Sequence, residues 1–249
     1  MISPKAASLA VSMLLAVSGT AAAAEWEFKL APYLWFAGLE GTAATIPGLP
    51  PAEIDVSPSQ ALEDTETALM LMFEARKGRS GLFTDLVYSD VRSDAELIPS
   101  LGLSLRSETK STLLTFAYQY RLLEPVRGSL DLLVGARYWS IDSFLAFSGP
   151  GGGELSGRNK ESWVDPVLGL KGYHLLGNSK FYFSGSAALG GFGVGSKMFY
   201  DLNLNLGYQW NDAIGTAIGY RWFDVERDES GFVYDVQQAG FGLGLAWSF

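Results

Sequence analysis

No cysteine occurs in this chain of 249 residues, and His174 is its only histidine. The first absence excludes a disulfide framework and any thiolate metal site. The second leaves little for general acid–base chemistry at neutral pH. Cations are scarce as well, with 18 Lys and Arg against 27 Asp and Glu, a formal net charge of -9. Such a balance argues against a nucleic-acid partner, which needs clustered Lys and Arg. Beyond the first two dozen residues, no stretch of the chain approaches the roughly eighteen uninterrupted apolar residues of a membrane helix. What the chain does have is 29 glycines and 13% aromatic residues. Gly-rich strands and aromatic girdles suit a transmembrane barrel, where the rings sit at the two interfaces.

The beginning of the chain has the form of a secretory leader. Lys5 supplies the positive charge, Ala6 to Val17 the short apolar stretch, and Ala22, Ala23 and Ala24 an A-x-A cleavage site. The expected domains are thus a signal peptide over 1–24 and one barrel domain over 25–249. Losing Lys5 takes the net charge from -9 to -10.

The last stretch, from Tyr234, organises the rest. Phe249, Trp247, Leu245, Leu243, Phe241 and Ala239 alternate with Ser248, Ala246, Gly244, Gly242, Gly240 and Gln238. Successive side chains of a strand point to opposite faces, so one wall is apolar and the other small or polar. A soluble sandwich would more often put Lys, Glu and Thr on its outer face than a run of Gly. A transmembrane barrel inverts that arrangement, with the apolar wall on lipid. The closing set Phe241, Leu243, Leu245, Trp247 and Phe249 also resembles the terminal strand of bacterial outer-membrane barrels, which implies recognition by the barrel-assembly machinery.

Ten alternating segments follow one another along the chain, so the sequence predicts an all-β, single antiparallel up-and-down transmembrane β-barrel. Ten strands fit best, with eight or twelve as alternatives. Pro32 sits inside the first segment and demands a local distortion there. Long connections are expected near 41–66, 94–105, 148–157 and 226–231, and shorter ones near 78–80, 122–128, 177–179 and 211–212. Short periplasmic turns and long outer loops would leave both termini periplasmic. Within the first long connection, Ser57, Pro58, Ser59 and Gln60 form a capping box with Pro at the first helical position, predicting a short helix over Pro58 to Glu63.

The polar wall carries the candidate site residues. They are the basic Lys29, Arg76, Arg121, Arg137, Lys171 and Arg221 and the acidic Glu74, Asp85, Asp131, Asp165 and Asp201. Tyr33, Trp35, Trp139 and Trp163 share that wall. A barrel of ten strands is only slightly wider than one that side chains fill. Such charges then form a structural ionic core, rings of a narrow small-solute pore, or the wall of a ligand site. No enzyme is expected. His174 shares parity with the lipid-facing Leu168 and Leu170 and has no partner at a useful spacing. Asp224, Glu226, Asp228 and Glu229 match no metal-ligand spacing and predict a solvated acidic loop. The glycines of 190–195 lead into a strand rather than a helix, so they lack the phosphate-binding mechanism of nucleotide loops.

Several stretches together resemble a widespread family of uncharacterised proteobacterial outer-membrane β-barrel proteins. They are Ala31-Pro32-Tyr33-Leu34-Trp35, Phe73-Glu74-Ala75-Arg76-Lys77-Gly78, Trp163-Val164-Asp165-Pro166, Gly190-Gly191-Phe192-Gly193-Val194-Gly195, Gly219-Tyr220-Arg221 and the terminal Phe249. The pattern usually continues the glycine stretch with an acidic residue, where this chain has Ser196 and Lys197. The resemblance spans nearly all of 25–249. It implies a monomeric barrel of the outer-membrane-protein-A-like class and no substrate. The expected partners are the lipid of a Gram-negative outer membrane and the assembly machinery, with no cofactor and no metal.

Overall fold

A computed structural model of the chain describes residues 26–46, 48, 50–98, 103–149 and 153–249. The expected leader over 1–24 lies outside the described residues, as do 99–102 and 150–152 of two expected connections. The barrel strands are β1 (Glu27–Ala44), β3 (Thr65–Lys77), β4 (Ser80–Ile98), β5 (Leu103–Leu123), β6 (Gly128–Ser148), β7 (Glu154–Leu175), β8 (Phe181–Gly190), β9 (Met198–Gln209), β10 (Ile214–Glu229) and β11 (Phe232–Ser248). A short β2 (Ala52–Val56) and helix α1 (Pro58–Asp64) lie between β1 and β3. Each barrel strand pairs antiparallel with its sequence neighbours, and β11 pairs with β1 to close the sheet. The result is a closed barrel of ten strands with one extra strand, which settles the count left between eight and twelve.

Closure fixes the faces. Leu34 lies opposite Leu243 and Phe36 opposite Phe241, while Trp35 lies opposite Gly242. The outward residues form an apolar belt, with Phe116 53%, Leu204 64% and Phe241 63% exposed. Their inward neighbours are the reverse, Thr115 and Asp201 each being 5% exposed. So many large apolar side chains on an outer surface, over a polar interior, match a protein whose outer solvent is lipid.

Sequence chemistry explains the two ends of the barrel differently. At one end the connections are tight. Gly78 (φ 57°) and Gly177 (φ 58°) take the left-handed backbone that L side chains resist, and the Asn211 side chain accepts from the backbone N–H of Ala213 and Ile214. We call this the turn end. At the loop end the strands overshoot. β5, β6 and β7 have 21, 21 and 22 residues, or roughly 70 Å of strand at about 3.3 Å each, against the ~10 residues that cross a bilayer. Of the loops expected near 94–105 and 148–157, residues 94–98, 103–105, 148 and 154–157 therefore belong to strands. The connection expected over 226–231 is tighter still. Ser230 (φ 54°) and Gly231 (φ 83°) make a two-residue hairpin turn, and Glu226, Asp228 and Glu229 belong to β10.

The helix forms as its capping chemistry predicts. Ser57 accepts from the Gln60 backbone N–H, the Gln60 side chain accepts from the Ser57 backbone N–H, and Pro58 opens the first turn. The distortion expected at Pro32 is present too. Pairing of β1 with β3 runs only over Glu27 to Pro32 and Leu71 to Arg76, and from Leu39 that edge of β1 is taken by β2. Proline has no N–H to continue the ladder, so the wall parts there.

Candidate functional site

The barrel interior is stacked in three layers between the turn end and the loop end. An apolar plug fills the loop-end half. Trp139 and Trp163 stack with ring centres 5.3 Å apart, Phe199 and Phe223 flank Trp139, and Ile141, Val225 and Val236 complete the packing. Trp139, Phe199 and Val225 have no exposed surface at all. These side chains fill the loop-end half of the lumen with apolar surface.

A compact ion cluster lies beneath the plug. Asp201 accepts twice from Arg221, at 2.9 Å from Nε and 2.7 Å from Nη2, and once from Arg137 Nη2 at 2.6 Å. Arg221 also reaches Asp85 at 3.1 Å and the Tyr33 hydroxyl at 3.0 Å, and that hydroxyl donates to Asp85 at 2.7 Å. Arg137 donates to Thr115 Oγ1 at 2.8 Å. Its guanidinium lies 4.6 Å from the Phe199 ring centre, which couples this layer to the plug. Two guanidinium groups face two carboxylates, so the layer is neutral.

The turn-end layer is not neutral. Asp131 accepts from Arg76 at 2.7 Å and from Arg121 at 2.6 Å, and Lys171 pairs with Glu74. Lys29 is the register partner of Glu74 and lies 6.0 Å from the Tyr173 ring centre. Four cations thus share the wall with two carboxylates, and a third carboxylate, Glu124 at the rim, pairs with Arg121 at 2.7 Å. Between them is a cavity of about 1060 Å³ that opens at the turn end, lined on the far side by Ser186, Asn203, Asn205 and the small Gly242 and Gly244. Its inner limit is formed by Trp35, Tyr33 and Arg221, and no residue of the apolar plug lines it.

Eleven residues were expected to form one lumen network, and all eleven point inward, ten of them into these two layers. Asp165 stands apart. Its Oδ1 accepts from the backbone N–H of Gly195 at 3.1 Å and Ser196 at 2.6 Å, and its Oδ2 from the Ser196 hydroxyl at 2.7 Å and Trp163 Nε1 at 3.2 Å. It therefore holds the glycine loop between β8 and β9 and forms no ion pair among the described residues. Without Asp165 the network counts six cations against four carboxylates. The same contacts explain the departure at Ser196, because a carboxylate at that position would face Asp165. Arg227, a residue outside the expected network, is 7% exposed, donates to the Gly195 carbonyl and lies 4.6 Å from the Trp163 ring centre. Its inward parity with Arg221 and Phe223 was the available signal.

On the exterior, Phe241, Leu243, Leu245, Trp247 and Phe249 run along the outward face of β11. Phe249 stacks on Phe28 with centres 5.6 Å apart. His174 is exposed on the outside at the turn end, and Gly128 on β6 is its register partner. Among the described residues no group of three or more His, Cys, Asp or Glu side chains could hold a metal ion. The overshooting strands carry paired charges: Arg92 with Glu108 and Glu66, Lys110 with Asp90, Arg106 with Asp94, and Arg158 with Asp142. That surface is mixed in sign.

No protein-family model matches this chain, and no curated protein matches it. Among solved structures, it is similar to the outer-membrane protease OmpT of Escherichia coli, with 11% identity, 90% of this chain and 94% of that one covered, and a TM-score of 0.46. It is similar also to the translocator domain of the autotransporter NalP of Neisseria meningitidis, at 14% identity, 97% and 93% coverage and a TM-score of 0.41. A third similarity is to Ail, the attachment invasion locus protein of Yersinia pestis, at 14% identity, 90% and 99% coverage and a TM-score of 0.32.

Proposed function

We propose that this protein is a monomeric, non-conducting barrel of a Gram-negative outer membrane, exported with its leader removed near Ala24. The apolar belt supports residence in lipid, and the short connections of the turn end support a periplasmic location for both termini. The overshooting strands β4 to β7 would then stand above the outer leaflet and display their paired charges at the cell surface. The observation that carries the reading is the plug of Trp139, Phe199, Phe223, Val225 and Val236, which seals the loop-end half above a neutral ion layer. A solute would have to displace both. His174, exposed on the exterior, supports a role without catalysis.

Refolded protein in a planar bilayer tests this, once heat-shifted gel mobility shows that it is folded. A silent bilayer is expected. Steady discrete openings would replace the reading with that of a narrow small-solute channel. The outward series ending at Phe249 is proposed as the signal read by the assembly machinery. Deleting Phe249 should leave unfolded chain in the periplasm, and normal insertion of the truncated chain would refute that role.

A further inference from the structure

The plug and the neutral ion layer close the lumen from one side, yet the turn-end cavity remains open and unfilled. Its volume is about 1060 Å³. It is also built with a bias. Lys29, Arg76, Arg121 and Lys171 face Glu74 and Asp131, and Glu124 at the rim pairs with Arg121 at 2.7 Å, which leaves Lys29 as the cation in excess, while Arg221 and Arg137 deeper in are matched by Asp85 and Asp201. The rim's other charges are Glu27 and Asp212 against Arg127, so the positive excess, centred on Lys29, belongs to the interior. Like charges held together in a half-enclosed space are costly unless an opposite charge joins them.

A second observation is independent of that count. Three side chains lining the cavity hold polar atoms that are buried behind its surface and have no hydrogen-bond partner among the described residues: Arg76 Nη1, Trp35 Nε1 and Asn203 Oδ1. The Arg76 side chain is 7% exposed and spends Nη2 on Asp131, which leaves Nη1 as a buried, charged donor. Unpaired buried groups of this kind are rare in folded proteins and cost free energy until something pairs with them. Two are donors and one is an acceptor, so a bare anion would satisfy only part of the set. Ser184, Ser186 and Asn205 add hydroxyl and amide groups to the far wall, and Tyr173 and Tyr182, with ring centres 5.0 Å apart, lie beside them. Hydroxyl-rich rings and chains are bound by this combination of polar side chains and aromatic faces.

We infer that the turn-end cavity is a binding site for a small hydroxylated organic anion, a sugar-like skeleton bearing a carboxylate or a phosphate. The anionic group sits among Lys29, Arg76 and Lys171, and small side-chain rotations on binding let the hydroxyls pair with Asn203, Trp35 and the serines. Binding of this kind needs neither conduction nor a particular orientation in the membrane, so it stands apart from the proposal that the barrel is sealed.

Titration calorimetry on the detergent-refolded full barrel tests it with four probes: glucose 6-phosphate, gluconate, glucose and inorganic phosphate. Glucose 6-phosphate, gluconate or both should bind, with glucose at least about tenfold weaker, and raising the salt concentration should weaken binding. Which of the two binds separates a phosphate ligand from a carboxylate one. Lys29→Met removes a cation that has no carboxylate within ion-pair distance among the described residues and should weaken the anion roughly tenfold to a hundredfold, as expected for loss of a charge-assisted hydrogen bond. Trp35→Phe keeps an aromatic face, though a smaller one, and removes the indole donor, with a few-fold loss expected. Heat-shifted mobility confirms folding of each variant. Equal binding of glucose and its phosphate would overturn the inference, as would inorganic phosphate binding as tightly as glucose 6-phosphate. Affinity unchanged in both variants, or no heat from any probe with folded protein, would overturn it too.

Discussion

Replacing Asp201 by Asn tests whether the central ion layer holds the barrel together. Asp201 accepts two bonds from Arg221 and one from Arg137, all between 2.6 and 2.9 Å, and its side chain is 7% exposed. The amide is isosteric but uncharged, and one of its two ends donates. Arg221 would keep Asp85 and Tyr33, whereas Arg137 would keep only Thr115 and the aromatic faces around it. Two buried guanidinium groups would then share one carboxylate. Removing one member of a buried pair in this way costs about 3–5 kcal/mol. An exposed comparison, Glu229→Gln, loses a contact of 2.8 Å to Arg227 from a side chain that is 61% exposed, which is worth about 1 kcal/mol or less. Unfolding in urea with the barrel in detergent, followed by tryptophan fluorescence, gives the two differences. A double variant, Asp201→Leu with Arg137→Met, removes one charge of each sign and gives the plug apolar neighbours. It should recover most of the loss, because well-packed apolar replacements of buried ion pairs are often neutral or better. An Asp201→Asn barrel within about 1 kcal/mol of the parent would refute the reasoning, since water would then be solvating these charges.

Two further predictions concern the loop end. A Cβ at Gly190 would lie 2.2 Å from the Pro166 carbonyl oxygen and 2.4 Å from the Phe199 ring. Gly190→Ala should therefore lower the midpoint of thermal unfolding measurably, and an unchanged midpoint would show that the plug yields easily. Arg158 donates two hydrogen bonds to Asp142 on the overshooting β6–β7 hairpin and holds that carboxyl below its usual range. A lowered folded-state pKa means a contribution present above the unfolded-state value and lost as pH falls through the folded one. Amide protection around Asp142 and Arg158, corrected for the intrinsic exchange rate at each pH, should fall on acidification through that window, and Arg158→Gln should remove most of the pH dependence.

Alternation along single strands was enough to assign the faces of this barrel. Phe241, Leu243 and Leu245 point outward and Gly240, Gly242 and Gly244 inward because the period of a strand is two, whatever the strand pairs with. Local chemistry likewise decided the Ser57 capping box, the distortion at Pro32 and the tight turns at Gly78 and Gly177. All of these depend on residues within a few positions of one another.

The site depended on something no local pattern holds, the stagger of ten strands around a closed sheet. Tyr33 and Arg221 are 188 residues apart and meet only because β11 closes onto β1 in one register. That register sorted the inward charges into a neutral layer and a positive one, and it took Asp165 out of both by placing the loop amides of Gly195 and Ser196 over it. Parity can say that a side chain faces the lumen. Its height, partner and distance from the plug follow from the shear of the closed barrel, a property of all the strands together. The sequence alone thus determined a barrel with a charged interior, and the tertiary structure decided that apolar side chains fill the interior on one side and that a charged cavity opens on the other.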